Sequence, residues 1–200
     1  MVVSGASRRP GWGAHPMVCG LLRGNPGDES GISREELDMA ASRQREPTKA
    51  ATSRVELLTR AYLMEMETVA NYLAASTNLD GVRAQEVIRA LAGDVEEELG
   101  HARRLAARLN QLDAVVPGSH ALLREQDSLQ PRTDSADLEG VILGVLEAEE
   151  AAIAHYQELI EHTDGIDWVT QDLAISILAD EDAHRRLFAS FLRDYERDRT

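Results

Sequence analysis

Glu98 with His101, and Glu181 with His184, place a carboxylate and an imidazole three positions apart, a spacing that on a helix puts both on one face. Each pair falls within an apolar repeat. Around the first, Ile88, Leu91, Val95, Glu98, Ala102, Leu105, Leu109 and Leu112 keep the step of a core-facing stripe. Around the second, Ala174, Ile177, Glu181, His184, Phe188 and Phe191 do the same. Two lone glutamates interrupt similar stripes: Glu65 among Leu58, Ala61, Val69, Tyr72 and Ser76, and Glu149 among Leu138, Ile142, Leu146, Ile153, Tyr156 and Ile160. An inward carboxylate left unpaired costs several kcal/mol or must take up a proton. A metal cation answers that need; so does an interior histidine that simply hydrogen-bonds its glutamate.

Four long helices are needed to carry these residues. Ser53 to Asn78 reads as the first, opened by Ser53 with Glu56 in capping-box spacing and closed before Gly81. The second runs from Gly81 or Val82 to Leu112, antiparallel to the first because the connection is tight. Residues 113–133 hold Pro117, Gly118 and Pro131 with weak periodicity, a link long enough to cross the length of a bundle. The third helix spans Ser135 to His162 and the fourth Trp168 to Glu196. The expected fold is all-α, a four-helix bundle over 53–200 with a long crossover between helices two and three. Residues 1–52, rich in Gly, Pro, Ser and Arg, read as a poorly ordered tail in which ISREELDMA forms at most a short turn and Met39 is an alternative start.

The halves of the bundle repeat one another. His101 and His184 each follow their glutamate by three, and Tyr72 and Tyr156 follow Glu65 and Glu149 by seven, as one bundle with approximate internal two-fold symmetry would require. Competitors remain for the lone positions: Glu67, off the stripe and expected in solvent, for Glu65, and Glu147 or Glu150 for Glu149. The two tyrosines read as core aromatics whose hydroxyls could bond a ligand or whose rings could give up an electron. His155 and His162 fall off the stripe and are expected at the surface. Four carboxylates and two imidazoles suit a pair of iron, manganese or zinc ions better than calcium or magnesium.

Composition narrows the setting. The net charge of −14 is uneven: residues 1–53 carry seven basic and six acidic groups, and the remainder fourteen basic and 29 acidic. Such a surface attracts cations and repels nucleic acid. The single cysteine, Cys19, excludes an internal disulfide and a four-cysteine zinc site. No apolar run is long enough for a membrane span, and Arg8 and Arg9 lead into Pro10 rather than an apolar segment, so neither membrane nor secretion is expected and the cytoplasm is the default.

These residues resemble the ferritin-like superfamily, and within it the bacterioferritin-like and Dps-like branch of di-iron carboxylate proteins. The likeness covers about residues 54–196 and rests on YLMEMETVANY (Glu65, Tyr72), EELGHARRL (Glu98, His101), EAEEAAIAHY (Glu149) and DEDAHRRLF (Glu181, His184). A lone Glu on two helices with Glu-x-x-His on the other two is the known ligand set of such bundles. The resemblance implies two iron ions, or manganese, with Glu98 and Glu181 bridging, Glu65 and His101 holding one ion, and Glu149 and His184 the other. It implies a ferroxidase that takes Fe(II) and dioxygen or peroxide, acting in iron storage or detoxification as a homo-oligomer. A small di-iron or di-manganese oxidase or peroxidase without storage is the rival enzyme, and a non-enzymatic helical interaction module the rival outside catalysis. The family's haem-ligating Met is replaced by Leu99, so no haem is expected, and with no Cys-x-x-Cys there is no rubredoxin-type centre. DNA-protecting members often carry a Lys-rich tail; Lys49 is the only lysine here, so nucleic acid is not an expected partner.

Overall fold

The computed structural model describes residues 49–197, with side chains from 54 onward, and the expectations for the tail, Met39 and Cys19 lie outside the described residues. Four α-helices account for most of it: α1 (Lys49–Asn78), α2 (Gln85–Gln111), α3 (Leu138–Thr163) and α4 (Trp168–Arg197). Each carries a buried stripe along one side, and α1 packs mainly on α2 and α3 mainly on α4. The all-α bundle expected from the stripes is the observed fold.

The helix starts differ from expectation for local reasons. α1 already runs from Lys49, so Ser53 lies inside the helix and does not open it. α3 begins at Leu138 rather than Ser135, because the Asp137 side chain accepts from the Gly140 amide at 3.0 Å and sets the N-cap there. A single 3-10 turn, Val82–Ala84, leads into α2. Gly81, with φ at 115°, makes the tight reversal before it, in a region that side chains rarely adopt.

The crossover runs back along the bundle. It leaves α2 at Leu112 and reaches the far end of α1, where the Asp80 amide donates to the Ser135 carbonyl at 2.8 Å. α3 is therefore parallel to α2 and antiparallel to α1. Along the way the crossover is fastened to α1: Glu67 accepts from the backbone amides of Glu125 and Gln126, and the Gln126 side chain bonds Thr68 and Asn71. Glu67 is thus buried, not solvated as its off-stripe position suggested; the crossover covers the face the stripe leaves out. Leu129 is inserted from the same segment. A Cβ on Gly144 of α3 would stand 2.5 Å from the Ser128 carbonyl, so glycine is what lets the crossover lie so close.

Two apolar clusters fill the interior. One gathers Tyr72, Leu91, Ile142, Val145 and Phe188, the other Leu58, Leu105, Leu109, Tyr156, Leu159 and Ile177. Near the second, Asp167 in the α3–α4 turn ties three elements together, accepting from Arg54 of α1 at 2.9 Å, Arg108 of α2 at 2.8 Å and Thr170 at 2.6 Å.

Candidate metal centre

Between the two apolar clusters lies a polar one. Glu65, Glu98, His101, Glu149, Glu181 and His184 are all buried, none more than 6% exposed. Two groups of potential donors stand within 4.8 Å of one another: Glu65, Glu98, His101 and Glu181, and Glu98, Glu149, Glu181 and His184. Glu98 and Glu181 belong to both. All six residues singled out by spacing meet here, one or two from each helix, and Glu149 rather than Glu147 or Glu150 is the inward residue of α3, the other two being exposed.

Both imidazoles turn Nδ1 to the centre. His101 Nδ1 lies 3.2 Å from Glu98 Oε2, 3.1 Å from Glu181 Oε1 and 3.9 Å from Glu65 Oε2. His184 Nδ1 lies 3.3 Å from Glu98 Oε1, 3.7 Å from Glu181 Oε2 and 3.8 Å from Glu149 Oε1. The outer nitrogens are held by a further set of acids: His101 Nε2 by Asp180 at 3.3 Å, and His184 Nε2 by Glu97 at 3.0 Å with Asp94 at 3.8 Å. A carboxylate on the outer nitrogen fixes the ring and leaves the inner one aimed at a ligand. The antiparallel α1 and α3 supply a reciprocal pair of phenols, Tyr72 donating to Glu149 and Tyr156 to Glu65.

The charges compensate through protons. Burial tends to lower both imidazoles, but the adjacent Glu181 and Glu98 carboxylates override it and hold His101 at about 9 and His184 at about 12. Burial would raise Glu98, yet the two histidines bring it down to about 2, and Glu181 is lowered in the same way. Glu65 and Glu149 are pushed well up, first by burial and then by the charges of Glu98 and Glu181. Two cationic rings thus face two carboxylates, with two neutral carboxyls beside them. Even so, Glu98 Oε1, Glu149 Oε2, Glu181 Oε1 and His184 Nδ1 have no hydrogen-bond partner. Buried polar atoms are seldom left so, and four of them converging on one point fit a site built to hold cations.

A profile of the ferritin-like domain matches residues 55–198. The chain belongs to the ferritin-like family. It is 27% identical over 143 residues to the DNA protection during starvation protein of Pyrococcus furiosus, covering 69% of this chain and 76% of that one. In fold it is similar to the bacterioferritin-related protein of Bacteroides fragilis, described as a dodecameric thioferritin, with a TM-score of 0.65 at 22% identity over 84% of this chain and 97% of that one. Among the described residues of this ferritin-like chain, no helix is long and apolar enough to cross a membrane.

Asp94, Glu97 and Asp180, which stand behind the two histidines, lie outside the inward Glu-x-x-His pairs. A signal was there: Glu97 and Asp180 each precede the Glu of a Glu-x-x-His pair, and Asp94 lies four before Glu98, on the same helix face. His155, expected at the surface, is buried with Nε2 donating to the Leu57 carbonyl at 2.9 Å.

Proposed function

We propose that this ferritin-like chain binds two iron ions at the central cluster and oxidises Fe(II) there. The observation that carries the reading is the pair of four-residue groups sharing Glu98 and Glu181, each completed by one histidine and one further glutamate. Four carboxylates balance two divalent ions, and imidazole with carboxylate oxygen is a donor set suited to iron or manganese. Glu98 and Glu181 would bridge, with Glu65 and His101 on one ion and Glu149 and His184 on the other.

Fe(II) is substrate in this scheme. Two ferrous ions give up one electron each; peroxide takes both electrons with two protons and leaves as two waters, or dioxygen takes them and leaves as peroxide. The protein holds the two ions side by side and keeps bulk water out with the Tyr72–Phe188 and Tyr156–Leu159 sides of its core. Its own protons move on loading: His101, His184, Glu65 and Glu149 release theirs so that the donors become available. Tyr72 and Tyr156 orient the two terminal carboxylates.

Assembly into a homo-oligomer is part of the proposal, supported by the dodecamer named for the Bacteroides fragilis protein and by large apolar side chains left in solvent, Trp168, Val169 and Ile166 among them. The protective role in the name of the Pyrococcus furiosus relative would come to this chain through removal of Fe(II) and oxidant. Contact with DNA is disfavoured by 29 acidic against fourteen basic groups beyond residue 53. Anaerobic titration with Fe(II), followed by peroxide or air, tests the reading: the chain should take up and oxidise about two irons, and a Glu98→Gln variant that oxidises iron at the wild-type rate would overturn it.

A further inference from the structure

Glu67, Glu147 and His155 take no part in the central cluster, yet all three line one cavity of about 150 Å3 between α1, α3 and the crossover, with the exposed Arg60 and Glu125 also in its lining. Its polar wall is a set of acceptors. His155 is 6% exposed; Nε2 donates to the Leu57 carbonyl, so Nδ1 is the lone-pair nitrogen, and nothing among the described residues donates to it. Burial holds this ring below the ordinary imidazole value, which keeps it neutral. Glu67 is 7% exposed, and only its Oε1 is used, by the two crossover amides at 2.7 and 3.0 Å. Glu147 accepts from the Ser128 hydroxyl through Oε2, and its Oε1 has no donor among the described residues. The side-chain donors of the same wall are already engaged: Ser128 with Glu147, the Gln126 amide with Thr68, and two nitrogens of Arg60 with Glu125 at 2.6 and 3.3 Å. Buried acceptors are seldom left without a donor. What enters this cavity must bring its own N–H or O–H groups.

Charge and shape narrow the ligand. Three carboxylates face one guanidinium, and Arg60 and Glu125 satisfy each other, so Glu67 and Glu147 are left uncompensated. An anion would be repelled; a cation is drawn in. The cation is not a metal ion. Among the described residues, the groups whose ligating atoms stand within 4.8 Å of one another are the two central ones, so Glu67, Glu147 and His155 are spread too widely to share one ion's shell. Separated acceptors suit a polyatomic cation instead. Met64, Leu129, Ala148 and Ala151 complete the wall with apolar surface, the lining that methylene groups prefer. A cavity of this volume accommodates a molecule of about six non-hydrogen atoms.

We infer that this cavity binds a short alkyl diamine, whose ammonium groups donate to Glu67, Glu147 and His155 Nδ1 and whose methylenes lie against the apolar wall. Two ammonium groups balance the two uncompensated carboxylates. Glu67 and Glu147 already tie the crossover to α1 and α3, so a ligand seated between them adds to that fastening and should raise Tm with its concentration. Nothing in this assignment depends on the central cluster.

Calorimetric titration of the full chain with linear diaminobutane, at fixed ionic strength, tests the assignment. The wild type should bind one diamine saturably, and the corresponding butanediol, equal in length but uncharged, far more weakly. Glu147→Gln, at an exposed position, should weaken diamine binding about tenfold or more. Ala151→Leu, also at an exposed position of the wall, should block the cavity and abolish it. Glu150→Gln, exposed on the same helix but outside the lining, and Glu98→Gln, in the central cluster, should both leave it unchanged. No saturable binding to the wild type overturns the site. So does equal weakening by Glu147→Gln and Glu150→Gln, the mark of a counterion on an acidic surface, or full affinity in Ala151→Leu, which puts the diamine outside the cavity. Loss of binding in Glu98→Gln would move the diamine to the central cluster and overturn the cavity as its site.

Discussion

The two halves of the candidate metal centre are alike in their inward carboxylates and imidazoles and unlike in what stands behind them. The step along the sequence that carries Glu98 and His101 onto Glu181 and His184 also carries Glu97 onto Asp180, but it carries Asp94 onto Ile177. His101 is backed by one carboxylate, Asp180, whereas His184 meets Glu97 and, at 3.8 Å, Asp94. The His184 imidazolium is also the more firmly protonated, about 12 against about 9: burial lowers both rings and the shared Glu181 and Glu98 carboxylates raise both. A ring must shed its proton before Nδ1 can ligate. Approximate symmetry of ligands therefore need not give equal subsites, and the Glu65–His101 side should fill first.

The largest expected effect comes from the residue both subsites share. Glu98→Gln withdraws a negative charge from each group, and Fe(II) oxidation in a stopped-flow assay should fall by about 100-fold or more. Comparable loss of both ions, rather than of one, is what the shared position requires.

Proton linkage is expected next. Metal uptake at neutral pH should release up to about four protons per chain, from two imidazolium rings and two neutral carboxyls, measurable by pH-stat. His101 has a folded value of about 9, above its ordinary 6.5. The stability it adds to the metal-free chain is complete below 6.5 and disappears as pH rises through 9, up to about 3 kcal/mol in all. The loaded chain has no such proton to lose. The fall in Tm caused by a chelator should therefore be greater at pH 9 than at pH 7, and a difference that shrinks with pH would contradict the assigned protonation.

Asp94 tests the asymmetry itself. Burial raises it to about 6, against the pull of His184, and its Oδ2 has no hydrogen-bond partner. A carboxyl raised above its unfolded value of 3.8 favours the folded chain only at low pH and weighs against it above 6. Asp94→Asn should stabilise the metal-free chain at pH 7 to 8 by about 1–2 kcal/mol, with the gain vanishing below about pH 4, as thermal unfolding across that range would reveal. It should also bring the two binding steps closer together in a calorimetric titration.

The smallest effects are expected at the tyrosines. Tyr72→Phe and Tyr156→Phe each deprive one terminal carboxylate of its donor, costing about 1–2 kcal/mol of stability and slowing oxidation without abolishing it. Because Tyr72 serves Glu149 and Tyr156 serves Glu65, each substitution should weaken the subsite on the opposite helix, a crossed pattern that binding isotherms can resolve.

Much of this centre was legible along the chain because a helix converts spacing into direction. Glu98, His101, Glu181 and His184 lie on stripes whose leucines and alanines must face inward, so the polar members face inward with them. The rule failed where a second layer covers the helix. Glu67, Glu147 and His155 are off the stripes, yet the crossover roofs the groove between α1 and α3 and buries two of the three. A segment without period carries no sign of which surface it will lie on. The stripe of α2 also drifted by a residue, with Val87 and Asp94 buried where Ile88 and Val95 were expected, since bundle packing rotates the buried face away from the hydrophobic average.

What the amino-acid sequence determined by itself was the set of six inward polar residues, the helices that carry them and their duplicate arrangement, because side-chain direction in a helix is a local property that repeats every turn. The tertiary structure decided what no local rule contains: that Glu98 and Glu181 fall in both groups, that each tyrosine serves the other half's glutamate, and that Asp94 stands behind one histidine alone. These depend on how antiparallel helices slide and turn against one another, and that register is set by the whole of the packed interior.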